Sequence, residues 1–149
     1  MTYDAERRQL VLFGGNPVIS KEKDYNGPMW AWDGHAWTSV NSQAPLVFNS
    51  CLAYSTDENF ILRFGGWDGA RRSNETWMYQ QDAWKKLLVE NPPPARNHSI
   101  MVYDQESKSF ILYGGHDGDN VFGDVWEFKN GKWLLMIKVD PRKRLDNGH

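Results

Sequence analysis

The chain has 149 residues, 14% of them aromatic with eight tryptophans, and a net charge of −2. That length suits one domain with a substantial core, and the near-neutral balance gives no general attraction to nucleic acid or to an anionic membrane. No apolar run approaches the ~20 residues of a membrane-spanning helix, and Met1–Glu6 lacks the basic start and apolar stretch of a secretory signal. The single cysteine, Cys51, excludes an intrachain disulfide and any CxxC metal site. It lies in an apolar run and is expected to be a small buried side chain. A cytoplasmic location is the expectation.

From the N-terminus, Tyr3 onward and Leu10–Phe13 read as two short strands, closed by Gly14-Gly15. A long loop, Asn16–Pro28, carries the charged run Lys21-Glu22-Lys23-Asp24 and is expected to be solvated. Met29–Trp32 and Ala36–Val40 follow, with Asp33-Gly34 as a tight turn between them. After the connection Asn41–Pro45 the same order returns: strands near Asn49–Tyr54 and Phe60–Phe64, then Gly65-Gly66, the loop Trp67–Asn74, and strands near Glu75–Tyr79 and Ala83–Leu88.

The third copy, after Val89–Arg96, is the most complete. His98–Asp104 is β-branched and aromatic, Gln105–Lys108 is turn-like, and Ser109–Tyr113 is nearly continuously apolar, as in a strand buried on both faces. Gly114-Gly115 and the polar loop His116–Gly123 lead to Asp124–Phe128, which alternates with period 2. Asn130-Gly131 is a type I′ hairpin signal feeding Lys132–Ile137.

The glycine pairs, the aromatic strands begun by Trp30, Trp77 and Trp126, and the lone Trp37, Trp84 and Trp133 all recur at a period of about 50 residues, the mark of an array of one supersecondary unit. Each unit predicts four short antiparallel strands, and no segment sustains a helical period. The glycine pairs permit positive φ and close backbone approach. A lone four-stranded sheet leaves two faces uncovered, so the indole rings are expected to fill the wedge between neighbouring sheets.

This combination resembles the kelch repeat: an apolar strand ending in Gly-Gly, a loop, an aromatic pair two apart, a turn and a Trp. "MTYDAERRQLVLFGG" with "MWAWDGHAW", and "PPPARNHSIMVYDQESKSFILYGGHDG" with "DVWEFKNGKW", are similar to bacterial kelch and galactose-oxidase-like propellers over residues 1 to about 139. The resemblance implies an all-β fold, a β-propeller segment of three four-stranded blades: 1–41 with its first strand truncated, 45–90 and 94–139, then a tail at 140–149.

The sequence departs from the family pattern at both ends. The family's opening Pro-x-Arg-x-x-His stands in the third copy as Pro94, Arg96 and a shifted His98; the second keeps Pro45 but has Val47 and Asn49, and the first lacks it. Pro141-Arg142 reads as the start of a fourth copy. Propellers close with about 4–8 blades, so three are expected either to pair with a second copy into a six-bladed ring or to be part of a longer propeller.

Loops on a rigid scaffold are where binding residues gather. Trp67 is the one tryptophan outside the repeat pattern, and Trp67, Asp68, Arg71 and Arg72 form an aromatic and basic cluster suited to an acidic peptide or ligand. A solvated loop whose Trp covers the blade edge is the competing reading. His116, Asp117 and Asp119 are metal-capable, but Val121 breaks the calcium-loop pattern and a turn is the better reading. Asn74-Glu75-Thr76 and Asn97-His98-Ser99 match the glycosylation triplet by coincidence, there being no secretory signal.

Some kelch propellers are enzymes, including copper radical oxidases, sugar epimerases and iron-dependent specifier proteins. Here His35, His98, His116 and His149 are scattered, and no nucleophile–base pair, HExxH, E-x-x-x-D-x-x-x-H or phosphate-cradling loop is present. The expectation is a non-enzymatic scaffold without cofactor, self-associating and binding protein or peptide. A carbohydrate or small-ligand binder and a fragment of a larger kelch protein or enzyme are the alternatives.

Overall fold

A computed structural model of the chain describes residues 1–15, 29–40 and 44–138. The charged run at 21–24 and the fourth repeat expected from Pro141 lie outside the described residues.

Every described element is a strand: β1 (Thr2–Asp4), β2 (Gln9–Phe13), β3 (Met29–Trp32), β4 (Trp37–Val40), β5 (Cys51–Ser55), β6 (Phe60–Phe64), β7 (Thr76–Gln80), β8 (Ala83–Leu87), β9 (Ile100–Asp104), β10 (Ser109–Tyr113), β11 (Val125–Lys129) and β12 (Lys132–Ile137). They form three four-stranded sheets, each paired in chain order and antiparallel throughout. The all-β reading holds, and the sheets are compatible with consecutive propeller blades.

Local chemistry sets the corners. The turn after each sheet's first strand holds Arg8, Asn59 or Lys108 at the same left-handed φ of 55°, 54° and 53°. The final hairpin of sheet 3 turns through Asn130 and Gly131, both at positive φ as a type I′ turn requires. Sheet 2 makes the equivalent turn with Gln81 and Asp82, again both at positive φ, although neither is a glycine. At the glycine pairs, Gly14 (φ 80°) and Gly65 (φ 68°) each meet the segment entering the next sheet. A Cβ there would lie 2.6 Å from the Val47 carbonyl oxygen and 2.5 Å from that of Arg96, respectively.

The three sheets stack face to face, with β1, β5 and β9 side by side. Two apolar clusters fill the gaps. Between sheets 1 and 2 lie Val11, Phe13, Met29, Leu52, Tyr54, Ile61, Tyr79 and Trp84; between sheets 2 and 3 lie Cys51, Ala53, Leu62, Phe64, Met101, Phe110, Leu112, Phe128 and Trp133. Sheet 2 is therefore covered on both sides, and every residue of β5 and β6 is buried.

The fourth-strand tryptophans bridge these gaps as wedges. Trp84 meets Phe13 edge-on at 5.2 Å and Trp133 meets Phe64 at 5.1 Å. Trp133 Nε1 also donates to Thr76 Oγ1 across the gap at 2.9 Å. In sheet 1 the register puts Met29 at the place of Thr76, and Trp84 Nε1 there has no hydrogen-bond partner. Burial pushes the Cys51 thiol up to about 12, so Cys51 is the inert packing residue the sequence suggests.

Two arginines are buried in this core. Arg96, from the Pro94-x-Arg96 opening, donates to both carboxylate oxygens of Asp124 at 2.6 and 2.8 Å and to the carbonyls of Gly114 and Pro94 at 2.9 and 3.0 Å. Its guanidinium lies over the Phe122 ring at 3.9 Å. A buried charge is tolerated when so fully paired; the motif staples the entry to sheet 3 onto the start of β11. Arg63 sits between sheets 1 and 2, over Phe13, Trp77 and Trp84 at 4.4–5.4 Å, with Nη1 donating to the Pro45 carbonyl at 3.0 Å. Burial lowers its pKa to about 10.

Candidate functional site

The loops after the second strands of sheets 2 and 3 adopt one design. Asp68 Oδ1 accepts the backbone N–H groups of Ala70 and Arg71 at 2.8 and 2.7 Å. Asp117 Oδ1 accepts those of Asp119 and Asn120 at 3.0 and 2.7 Å. These backbone bonds hold both carboxyls below the usual carboxylate range. Both carboxylates serve a turn of the Asx kind, each through its Oδ1. Among the described residues no group of three or more His, Cys, Asp or Glu could hold a metal.

The structure joins the two loops across the sheet boundary. Arg72 Nε donates to Asn97 Oδ1 at 3.2 Å, and its guanidinium lies so close over Gly118 that a Cβ there would meet it at 2.7 Å. Asn97 and His116 exchange backbone hydrogen bonds at 3.1 and 3.0 Å. The His116 ring stacks on His98 with centroids 5.1 Å apart, and His116 Nε2 lies 3.1 Å from His98 Nδ1. Thus Arg72, His98 and His116 share one ordered surface, with Arg71 and Asp119 exposed beside it. Trp67 bridges Phe48 on one side and Arg72 on the other through its backbone, and the residue is 37% exposed.

A second kind of surface was not among the expected binding residues: the outward faces of the two end sheets. Register places Tyr3, Leu10, Leu12, Trp30, Trp32 and Trp37 on the outward face of sheet 1. It places Ile100, Val102, Ile111, Tyr113, Val125, Leu134 and Ile137 on that of sheet 3. The first set takes the places of residues that sheets 2 and 3 turn toward their predecessors, and the second those of residues that sheets 1 and 2 turn toward their successors; these are buried or half-buried there except Thr38 and Lys85, at the place of Leu134, which are exposed. Trp37 is 45% exposed whereas its equivalents Trp84 and Trp133 are 8% and 6%. Apolar patches of this continuity are rare on soluble monomers and mark interaction sites. The signal was present in the sequence as the repeat itself: among the described residues the first and third sheets each have one neighbouring sheet, and the second has two.

The rims of the internal interfaces carry a polar clasp. Tyr103 donates its hydroxyl to Asp57 Oδ2 at 2.6 Å, and Lys108 Nζ stands 3.4 Å from Asp57 Oδ1. The Tyr103 bond, with Lys108 beside it, holds Asp57 below the usual carboxylate range. One sheet earlier, the Tyr54 hydroxyl accepts the Glu6 backbone N–H at 3.2 Å and donates to Asn59 Oδ1 at 2.9 Å. In both cases a tyrosine at the end of one first strand reaches the turn of the preceding sheet. The chain matches no protein-family model, and no curated protein matches it significantly.

Proposed function

We propose that this chain is a kelch-type β-propeller segment acting as a non-enzymatic scaffold for protein–protein interaction, with its end faces as principal contact surfaces and the Trp67–Arg72–His116 loop surface as an accessory. The observation that carries this is the pair of apolar outward faces on sheets 1 and 3, built mostly from positions that are buried or half-buried where a neighbouring sheet covers them. The turn duty of Asp68 and Asp117 favours the same reading, because it leaves the loops a stiff, partly basic surface and not a convergent catalytic cluster.

A photo-crosslinking amino acid placed at Trp37 or at Ile111 should yield protein adducts in cells, whereas one at the exposed turn residue Asp82 should not. An absence of adducts at both faces, together with a glycan recognised through Trp67, would replace this proposal with carbohydrate binding.

A further inference from the structure

Resting on the reading of the end sheets as protein-binding faces, we infer that the occupant of each is a second copy of this chain, docked head to tail. Sheet 3 of one copy stacks on sheet 1 of the other, and Glu106 of the first is clasped by Tyr3 and Arg8 of the second.

The chain already makes the stacked part of this interface twice and the acidic clasp once. At the boundary of sheets 2 and 3 the acidic turn residue is Asp57, held by Tyr103 and Lys108 of the following sheet. Counting along the repeats, Glu106 occupies the place of Asp57 in sheet 3, while Tyr3 and Arg8 occupy the places of Tyr103 and Lys108 in sheet 1. Arg8 has the same left-handed backbone as Lys108, so the cation leaves the turn in the same direction. The unmatched ends of the chain therefore carry the two halves of a clasp with complementary charge.

The apolar parts match in the same register. Trp84 packs on Phe13 and Trp133 on Phe64, and Tyr113 stands at the equivalent place in sheet 3. Trp37 of the second copy has Tyr113 as its counterpart, and Tyr113 is 50% exposed where Phe13 and Phe64 are 6% and 1%. A face that joins a different face of the next copy is heterologous, and such contacts close into a ring when the rotation permits. Two copies supply six sheets, within the range of closed propellers.

Sedimentation and light scattering of the chain between about 1 and 100 μM, the range of modest protein affinities, test this. The expected species has twice the 17.3 kDa of one chain. Arg8→Glu and Glu106→Arg each alter an exposed turn residue, so both variants should keep the wild-type circular dichroism. Each should weaken the dimer about tenfold, since every dimer contains two of these rim pairs. Mixing the two single variants should restore wild-type affinity, because the mixed dimer joins the two substituted side chains, with their charges exchanged, at one interface and keeps the original pair at the other.

A 17.3 kDa species throughout, open-ended larger assemblies, or a dimer indifferent to both reversals or not restored by mixing would overturn the inference. Photo-adducts of Trp37 with other proteins while the chain remains monomeric would sink the second copy as occupant and leave the scaffold reading standing.

Discussion

The middle sheet and the end sheets are built from the same repeat and meet opposite fates. In sheet 2 both the face carrying Leu62 and Phe64 and the face carrying Ile61 and Arg63 are sealed by neighbours. In sheets 1 and 3 one face is equally well sealed, while the other presents Trp37 or Ile111 and Tyr113 outward. The difference teaches that the repeat encodes two complementary faces as well as a sheet, and that a residue's contribution depends on whether its successor or predecessor exists.

The sharpest way to break this comparison is to truncate equivalent tryptophans. Trp133→Ala removes a buried indole and strands the Thr76 hydroxyl, and should cost about 3–5 kcal/mol in denaturant unfolding. Trp37→Ala should cost the isolated chain less than ~1 kcal/mol, since much of the ring is already in water. Equal losses would mean that the two indoles are equally buried.

Next in size is the staple at the entry to sheet 3. Asp124→Asn leaves the fully buried Arg96 without its counter-charge and should cost about 3 kcal/mol. Burial alone would raise the Asp124 pKa, but the Arg96 and Trp126 hydrogen bonds outweigh it and the carboxyl titrates below its ordinary value of 3.8. A carboxylate depressed on folding stabilises the native state above the unfolded pKa, and that contribution is lost as pH falls through the folded value. Wild-type stability should therefore drop below about pH 4, with a shallower fall in Asp124→Asn. Sheet 2 has no such staple, Val47 standing at the place of Arg96, so Glu75→Gln should change the acid limb less.

How legible all this was in the sequence follows from what each feature depends on. The glycine pairs, the tryptophan ladder and Asn130-Gly131 are local signals, and the strands they predict agree with those observed to within about two residues. The place of the turn at Gln81-Asp82 was legible between the two strands, but its positive φ was not, being imposed by the hairpin and not advertised by a glycine. Nothing in the sequence marks Arg63 or Arg96 as buried, since their enclosure depends on how the sheets stack. The loop cluster was visible as residue types, but the link from Arg72 to Asn97 crosses between repeats and depends on how the sheets stack. The Tyr103–Asp57 contact spans 46 residues of sequence, and only an alignment of the three copies on their folded registers exposes it.

Smaller effects sharpen the comparison at the loops. Asp68→Ala and Asp117→Ala each delete the acceptor of two backbone N–H groups and should lower the Tm by about 2–4 °C. The loss should be larger for Asp117, whose second oxygen also accepts from the Asn120 side chain. Identical Tm values for wild type and both variants would free these carboxylates from a turn role and return them to the pool of ligand candidates.

The smallest predicted effect compares the two clasps most directly. Tyr103→Phe removes one hydroxyl that donates to Asp57 at an internal boundary and should lower the Tm by about 1–2 °C. Tyr3→Phe removes the equivalent hydroxyl at the outer boundary, where, among the described residues of the same chain, no turn carboxylate of a preceding sheet accepts from it. In a single chain it should leave the Tm unchanged. If two copies close the ring, the same substitution acquires the penalty of Tyr103→Phe and acquires it twice per dimer, so the Tm difference between wild type and Tyr3→Phe should grow with protein concentration. A difference that stays at zero at every concentration would mean that the outer tyrosine has no counterpart, and the equivalence between internal and terminal boundaries would hold for shape alone.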